Sequence, residues 1–224
     1  MITIIVPTLN EAPRIKETLR AIRRSGDCEL IVVDGASTDG TVRRATEIAD
    51  KVVLCNPGRA KQMNFGAEMA RGKVLLFLHA DTLLPFNFTS LIEKKMKNPE
   101  VVGGWFDVSF DVRGWQFSLI SRCMNMRARM TGIATGDQGI FVRREAFEAI
   151  GRYPDWDLME DVELSRRLKR YGTMVSLRER VTTSARRWQQ DGVWNTVFRM
   201  WILRAGSFLG ISSSVLRPFY KDTR

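Results

Sequence analysis

Short runs of consecutive apolar residues alternate, over the first half of the chain, with segments whose apolar residues recur every three or four positions. The runs at 2–6, 29–33, 51–54 and 74–78 predict strands, and the last, five apolar residues in a row, predicts one buried on both faces, as in a parallel sheet covered by helices. Between them, Ile15, Leu19 and Ile22 mark one helix face, with Asn10 placed to cap it. Two further helices are predicted over about 42–49, after a Gly/Ser/Thr/Asp cluster, and near 59–70. Strands separated by helices imply right-handed crossovers and a mostly parallel sheet with helices on both faces, an α/β fold.

The fourth run carries the chemistry. Residues 74–82 read Val-Leu-Leu-Phe-Leu-His-Ala-Asp-Thr, and polarity changes abruptly at His79. Ligands of open α/β sheets sit at the carboxyl ends of the strands, so His79 and Asp81 are delivered to the expected crevice, with Ala80 on the opposite side. A carboxylate there suits a divalent cation that neutralises a diphosphate. Asn10, Glu11, Asp34 and Asp39 are predicted along the same sheet edge.

In the second half, 101–108 reads as a strand and 115–130 as a helix bearing Arg122, Arg127 and Arg129. Trp105 is either core or a platform for a sugar ring. A turn and strand over 135–144 follow, where Gly136 lets backbone approach a ligand and Asp137 and Gln138 are able to hydrogen-bond hydroxyls. Glu160 and Asp161 open a helix, and a basic loop at 183–188 follows a short strand. The apolar stretch 194–216 contains Arg199, Arg204, Gly206 and Gly210, which argues against a transmembrane span. Packing on the domain is the expectation, with a homodimer contact or a membrane interface as its other uses.

The 224 residues, 44% hydrophobic and 27% charged, suit one soluble domain with a full core. Three scattered cysteines lack metal-ligand spacing and argue against a disulfide framework. The first residues lack a basic n-region and cleavage site, so a cytoplasmic location is expected, with peripheral contact on the inner face of the plasma membrane as the variant. A net charge of +10 favours anionic partners. No zinc-finger or RNA-binding signature appears, and nucleic acid is not the expected partner. Neither Gly-x-Gly-x-x-Gly nor Gly-Lys-Ser/Thr follows the first strand, which disfavours dinucleotide and P-loop enzymes.

Ile4-Ile5-Val6-Pro7-Thr8-Leu9-Asn10-Glu11 resembles the opening strand of the inverting family 2 glycosyltransferases, and Val32-Val33-Asp34-Gly35-Ala36-Ser37-Thr38-Asp39-Gly40-Thr41 resembles their second motif almost residue for residue. The resemblance implies a GT-A fold, with one catalytic domain over 1–190, a nucleotide-sugar half at 1–100, an acceptor half at 101–190, and a helical segment over 191–224. It implies base and ribose contacts from Pro7, Glu11 and Asp34, with Asn10 beside them and Asp39 supporting the loop. Gly58-Arg59-Ala60-Lys61 is similar to the family's helix beside the nucleotide, with Arg59 and Lys61 near the diphosphate. His79-Ala80-Asp81 stands at the family's Asp-x-Asp position, as in a branch of small bacterial transferases carrying Leu-His-Ala-Asp-Thr. The metal contact, to Mn²⁺ or Mg²⁺, passes to Asp81. Trp105, Gly136, Asp137, Gln138 and Glu160 are placed on the acceptor side. Glu160-Asp161 resembles the family's Glu-Asp pair, whose Asp is the catalytic base, and Arg186-Arg187-Trp188 resembles an element near the diphosphate, with Arg187 stabilising the leaving group. The implied reaction moves a sugar with inversion from a nucleoside-diphosphate sugar, a UDP-sugar first, to a hydroxyl acceptor that lipid-linked substrates would also satisfy. Two other readings stay open: nucleotidyl transfer to a sugar phosphate, and a basic module that binds RNA or membrane without turnover.

Overall fold

The computed structural model describes residues 1–208, 211 and 213–220. Strands β1 (Ile2–Thr8), β2 (Glu29–Asp34), β3 (Lys51–Leu54) and β4 (Val74–Phe77) are joined by helices α1 (Ala12–Ser25), α2 (Thr41–Thr46) and α3 (Arg59–Met69), and pair in parallel in the order β3-β2-β1-β4. Every residue of β2 is buried, which is why this segment reads as an unbroken apolar run closed by Asp34. On one face, Ile2, Ile4 and Val6 meet Ile15, Leu19 and Ile22 of α1. On the other, Ile5 and Val33 meet α3 at Gly66, where a Cβ would lie 2.5 Å from Ile5 Cγ2 and 2.9 Å from Val33 Cγ2. That close approach seats the first turn of α3, and with it Arg59, beside the carboxyl ends of β1 and β2.

The second half extends the sheet. After β5 (Thr82–Leu83) and α4 (Phe88–Met96) come β6 (Val101–Phe110), α5 (Trp115–Thr131), β7 (Ile140–Arg143), α6 (Arg144–Ala149), α7 (Glu160–Tyr171) and β8 (Thr173–Thr183). The complete order is β3-β2-β1-β4-β7-β6-β8-β5, with β7 antiparallel to both neighbours and β5 antiparallel to β8. The sheet is therefore parallel from β3 to β4 and mixed beyond β4. Side chains at Gly103 and Gly104 would collide with the Phe141 and Val175 carbonyls, so β6 must be bare there to fit between β7 and β8.

Several elements differ from expectation. Asn10 does not cap α1: its backbone is left-handed (φ 54°), and it bridges to the β2–α2 turn, its N–H donating to Ser37 Oγ (2.8 Å) and its Oδ1 accepting from Thr38 N–H (2.9 Å). The capping acceptor comes from another part of the chain, since Asp39 Oδ2 takes the Ala12 N–H at 3.0 Å. Helix α2 ends at Thr46 rather than near residue 49. The fourth strand stops at Phe77, so His79-Ala80-Asp81 forms a turn and not a strand end. Strand β8 runs to eleven residues rather than a short strand, partly exposed along its length.

At the C-terminal end, α8 (Arg186–Asp191), α9 (Val193–Phe208) and α10 (Ser213–Leu216) follow. Leu203 and Leu216 pack on Leu158 and Met159. The remainder of α9 leaves Trp194, Phe198 and Trp201 exposed. Among the described residues no helix is long and apolar enough to cross a membrane. Gly210 of the apolar stretch lies outside the described residues.

Candidate active site

The carboxyl ends of β1 and β4, the N-termini of α3 and α7, and the segment after β8 surround a cleft of about 950 Å³. Of the predicted residues, Pro7, Glu11, Arg59, His79, Ala80, Asp81, Asp137, Glu160, Asp161 and Arg187 all line it, from segments up to the full length of the domain apart.

Two carboxylates stand at the start of α7. Met159, immediately before them, is held at φ 64°, a left-handed conformation that is strained for a long side chain and is fixed here by its burial against Leu158, Leu203 and Leu216. The turn aims Asp161 at the loop before β7. Asp161 Oδ2 accepts the Gly136 N–H and Oδ1 accepts the Val162 N–H, both at 2.7 Å. Burial nevertheless outweighs these donors and raises its pKa. Glu160 is buried, and burial together with the Asp161 charge pushes it up to about 7, against the attraction of Arg59. Two adjacent carboxyls sharing one low-dielectric site do not both ionise readily.

The sign of that shift gives a prediction. Glu160 titrates from 4.5 when unfolded to about 7 when folded, so the folded state holds the extra proton and stability falls as pH rises between those values. Glu160→Gln removes the titration. Its stability relative to wild type should climb from pH 4.5 to pH 7 by on the order of 2–3 kcal/mol and then level off, as read by denaturant unfolding across pH.

Opposite, His79 Nδ1 lies 3.2 Å from Asp137 Oδ1. Burial raises Asp137, but the hydrogen bond and charge of His79, with Arg59 and Arg187, prevail and hold it below the usual carboxylate range. Gly136 packs against the imidazole: a Cβ there would sit 2.5 Å from His79 Nε2. Gly136→Ala should therefore displace both His79 and the N–H that holds Asp161. We expect destabilisation of about 1–3 kcal/mol by denaturant unfolding, with activity reduced beyond what the folded fraction explains.

Cations converge from the starts of α3 and α8. Arg59 is partly buried, and Tyr220 first, then Glu160, Asp137 and Asp161, raise its pKa against burial. Arg187 Nη1 donates to the Tyr220 hydroxyl at 2.6 Å and its guanidinium stacks over that ring at 4.0 Å. Arg186 pairs with Glu11 at 3.5 Å. Asp81 lines the cleft, and among the described residues no hydrogen bond or ion pair occupies its carboxylate. No cluster of three metal-ligating side chains exists among the described residues, so an all-protein cage is not available. A free carboxylate in a cleft with arginines fits the way Mg²⁺ and Mn²⁺ are commonly held, by one or two carboxylates with substrate phosphates and water.

Several expected contacts are not made. Asp34 is fully buried and turned away from the cleft, its carboxylate taken up by Ser37 N–H (2.8 Å), Ser37 Oγ (2.5 Å) and Thr8 Oγ1 (3.0 Å). Asn10 is spent on the same turn. Lys61 points outward, 3.7 Å from Asp155, because it lies two positions beyond Arg59 on the helix. Trp105, 2% exposed, is core on β6 and has no face for a sugar. Gln138 is fully buried, with Oε1 facing Thr135 N–H at 3.2 Å and Nε2 facing the Phe106 carbonyl at 3.4 Å. Gly136 acts through Asp161 and His79 rather than through the cleft. Conversely, Gln62, Arg127 and Tyr220 were not anticipated. Gln62 Nε2 donates to the Thr8 and Val33 carbonyls (2.8 and 2.7 Å), tying α3 to the ends of β1 and β2. Nothing in the local sequence marks it beyond a polar residue on a helix face that is otherwise small and apolar.

A sheet of this order with acids and arginines at its carboxyl edge defines the class: the GT-A fold of nucleotide-sugar transferases. A mannosyltransferase of Pyrobaculum calidifontis, solved in complex with GDP-Man and Mn²⁺, superposes with a TM-score of 0.69 at 26% identity, over 93% of this chain and 61% of that one. The chain belongs to Glycosyl transferase family 2, whose model matches residues 3–158. A PGL/p-HBAD biosynthesis glycosyltransferase of Mycobacterium bovis is 39% identical over 93 residues, which is 38% of this chain and 36% of the relative. Succinoglycan biosynthesis protein ExoA of Rhizobium meliloti is 28% identical over 201 residues, 80% of this chain and 61% of the relative. The chain thus spans less than two thirds of the length of each of these proteins.

Proposed function

We propose that the protein transfers a sugar, with inversion, from a nucleoside-diphosphate sugar to an acceptor hydroxyl. The observation that carries this reading is the convergence, in one cleft, of a carboxylate at Asp81 without a protein partner among the described residues, arginines at 59 and 187, and a half-buried carboxylate at Asp161. The three supply what the reaction needs: a place for a bound cation, charge for a diphosphate, and a base.

In this account Pro7 and Glu11 border the nucleoside, and Asp34 contributes by holding the Ser37 turn rather than by touching ribose. A divalent cation at Asp81 would offset the diphosphate charge. Arg59 and Arg187 share that task, and Arg187 exchanges its Tyr220 partner for a phosphate oxygen as donor enters. Asp161 accepts the proton of the acceptor hydroxyl as that oxygen attacks the anomeric carbon from the side opposite the leaving group. The two N–H donors fix the carboxylate in orientation. Glu160, pushed up to about 7, carries less than a full charge near neutrality and in its protonated form offers an O–H to a sugar hydroxyl. Both GDP and UDP donors are compatible with this edge, since neither base is selected by the residues named.

Product analysis tests the reading. With a series of nucleoside-diphosphate sugars, phosphorus NMR should detect nucleoside diphosphate and proton NMR a glycoside of inverted anomeric configuration. Release of inorganic diphosphate from a nucleoside triphosphate would instead identify nucleotidyl transfer, and retained configuration would remove Asp161 from its role.

A further inference from the structure

One wall of the cleft is unlike the others. Leu119, Ile120 and Met126 of α5 face it, together with Trp194, Met200 and Trp201 of α9. The wall continues onto the surface. Trp194, Phe198, Trp201 and Ile202 fall at i, i+4, i+7 and i+8 of α9, one face of that helix, and they are 55%, 69%, 74% and 51% exposed. Scattered apolar residues on a surface mean nothing, but a continuous aromatic and aliphatic face leading into a cleft marks a surface that meets something apolar. The same helix is anchored through its other side, by Leu203.

Two arginines reach the cleft from this wall, Arg127 of α5 and Arg204 of α9. Arg127 of α5 lines the cleft, and its Nε and Nη2 are buried without a hydrogen-bond partner among the described residues. Burial pulls its pKa down, while Asp161 and Asp137 act against that. Two guanidinium nitrogens out of water with their donors unused are unfavourable until an anion meets them. Its electrostatic neighbours are the proposed base, Asp161, and Asp137, and it reaches them from α5 rather than from the segments that carry Arg59 and Arg187.

We propose that the acceptor is an amphiphile, with a phosphate or carboxylate that meets Arg127 beside the reacting hydroxyl and a hydrocarbon chain that lies between α5 and α9. The proposal rests on the transferase reading for the word acceptor, but its binding chemistry can be tested without turnover. Charge complementarity selects the head group: a half-buried guanidinium with unused donors in an apolar wall fits an anion on an apolar carrier.

The test titrates the full chain with dodecyl phosphate, hexyl phosphate and dodecyl maltoside below their micelle concentrations, following calorimetry and tryptophan fluorescence. Dodecyl phosphate should bind more tightly than either of the others. Arg127→Gln should weaken dodecyl phosphate about tenfold or more and leave dodecyl maltoside unchanged, with Arg127→Lys recovering part of the loss. Trp201→Gln, at an exposed position where folding is not at stake, should weaken both dodecyl ligands alike. Equal affinity for the two dodecyl ligands, or an Arg127→Gln variant that binds as wild type does, would overturn the proposal. So would displacement of dodecyl phosphate by UDP or GDP with Mn²⁺, which would assign Arg127 to the donor. Should no nucleotide bind while Arg127-dependent dodecyl phosphate binding persists, the transferase reading fails and the amphiphile site stands.

Discussion

Asp161→Asn is expected to lower kcat for sugar transfer by about 10²–10⁴-fold, the usual worth of a positioned general base, with little change in donor KM. The asparagine oxygen still accepts the Gly136 N–H, so the turn before β7 keeps its anchor, but the amide cannot take a proton. Its NH₂ would also face the Val162 N–H, a lost hydrogen bond costing about 1 kcal/mol that unfolding measurements will separate from catalysis. The wild-type rate should carry the same signature in its pH dependence. Burial raises the pKa of Asp161, so activity should fall on acidification at a higher pH than an ordinary carboxylate would dictate. Single-turnover rates across pH check both statements, and a variant within a few-fold of wild type would remove Asp161 from the reaction.

Asp81→Ala is expected to reduce kcat/KM by about 10³-fold, corresponding to several kcal/mol of charge stabilisation at the diphosphate. The fold should scarcely notice. No described residue hydrogen-bonds or pairs with this carboxylate, so the stability change should stay within about 0.5 kcal/mol. That separation between a large kinetic and a small thermodynamic effect distinguishes Asp81 from Asp34, whose carboxylate is locked by Ser37 and Thr8 and whose loss would loosen the whole β1–β2 edge. Steady-state kinetics over a Mn²⁺ and Mg²⁺ titration, beside denaturant unfolding, reads both quantities.

The first half of the fold was legible because each of its strands is short and most are buried on both faces, so the chain announces them as apolar runs and the helices between them by one-sided spacing. Strand β8 was legible only as a short strand before residue 183, since its half-exposed Ser-Leu-Arg-Glu-Arg-Val lacks both a run and a clean alternation. The site divides the same way. Glu11, Asp81 and Asp161 reach the cleft as expected because each lies just beyond a strand's carboxyl end or in a helix's first turn, where the backbone itself carries the residue to that edge. Asp34 and Gln138 occupy equally promising positions, yet their side chains are consumed by Ser37, Thr8 and the segment around Thr135, partners that only the folded backbone brings within reach. Trp105 shows the limit of alternation: which face of β6 is covered depends on α6 and α7, far along the chain. Tyr220 meets Arg187 across 33 residues, a pairing that nothing in either neighbourhood signals.

The most direct measurement is thermal unfolding of the wild-type chain with UDP, GDP and dTDP, each with and without Mn²⁺ or Mg²⁺. At about a hundred times its dissociation constant, the cognate nucleotide should add roughly 2.7 kcal/mol of stability, and only when a divalent cation is present. Stabilisation by one nucleotide, dependent on metal, is the result this account predicts. A melting temperature unmoved by every pairing would contradict it, because a cleft that holds no nucleoside diphosphate cannot be the donor site.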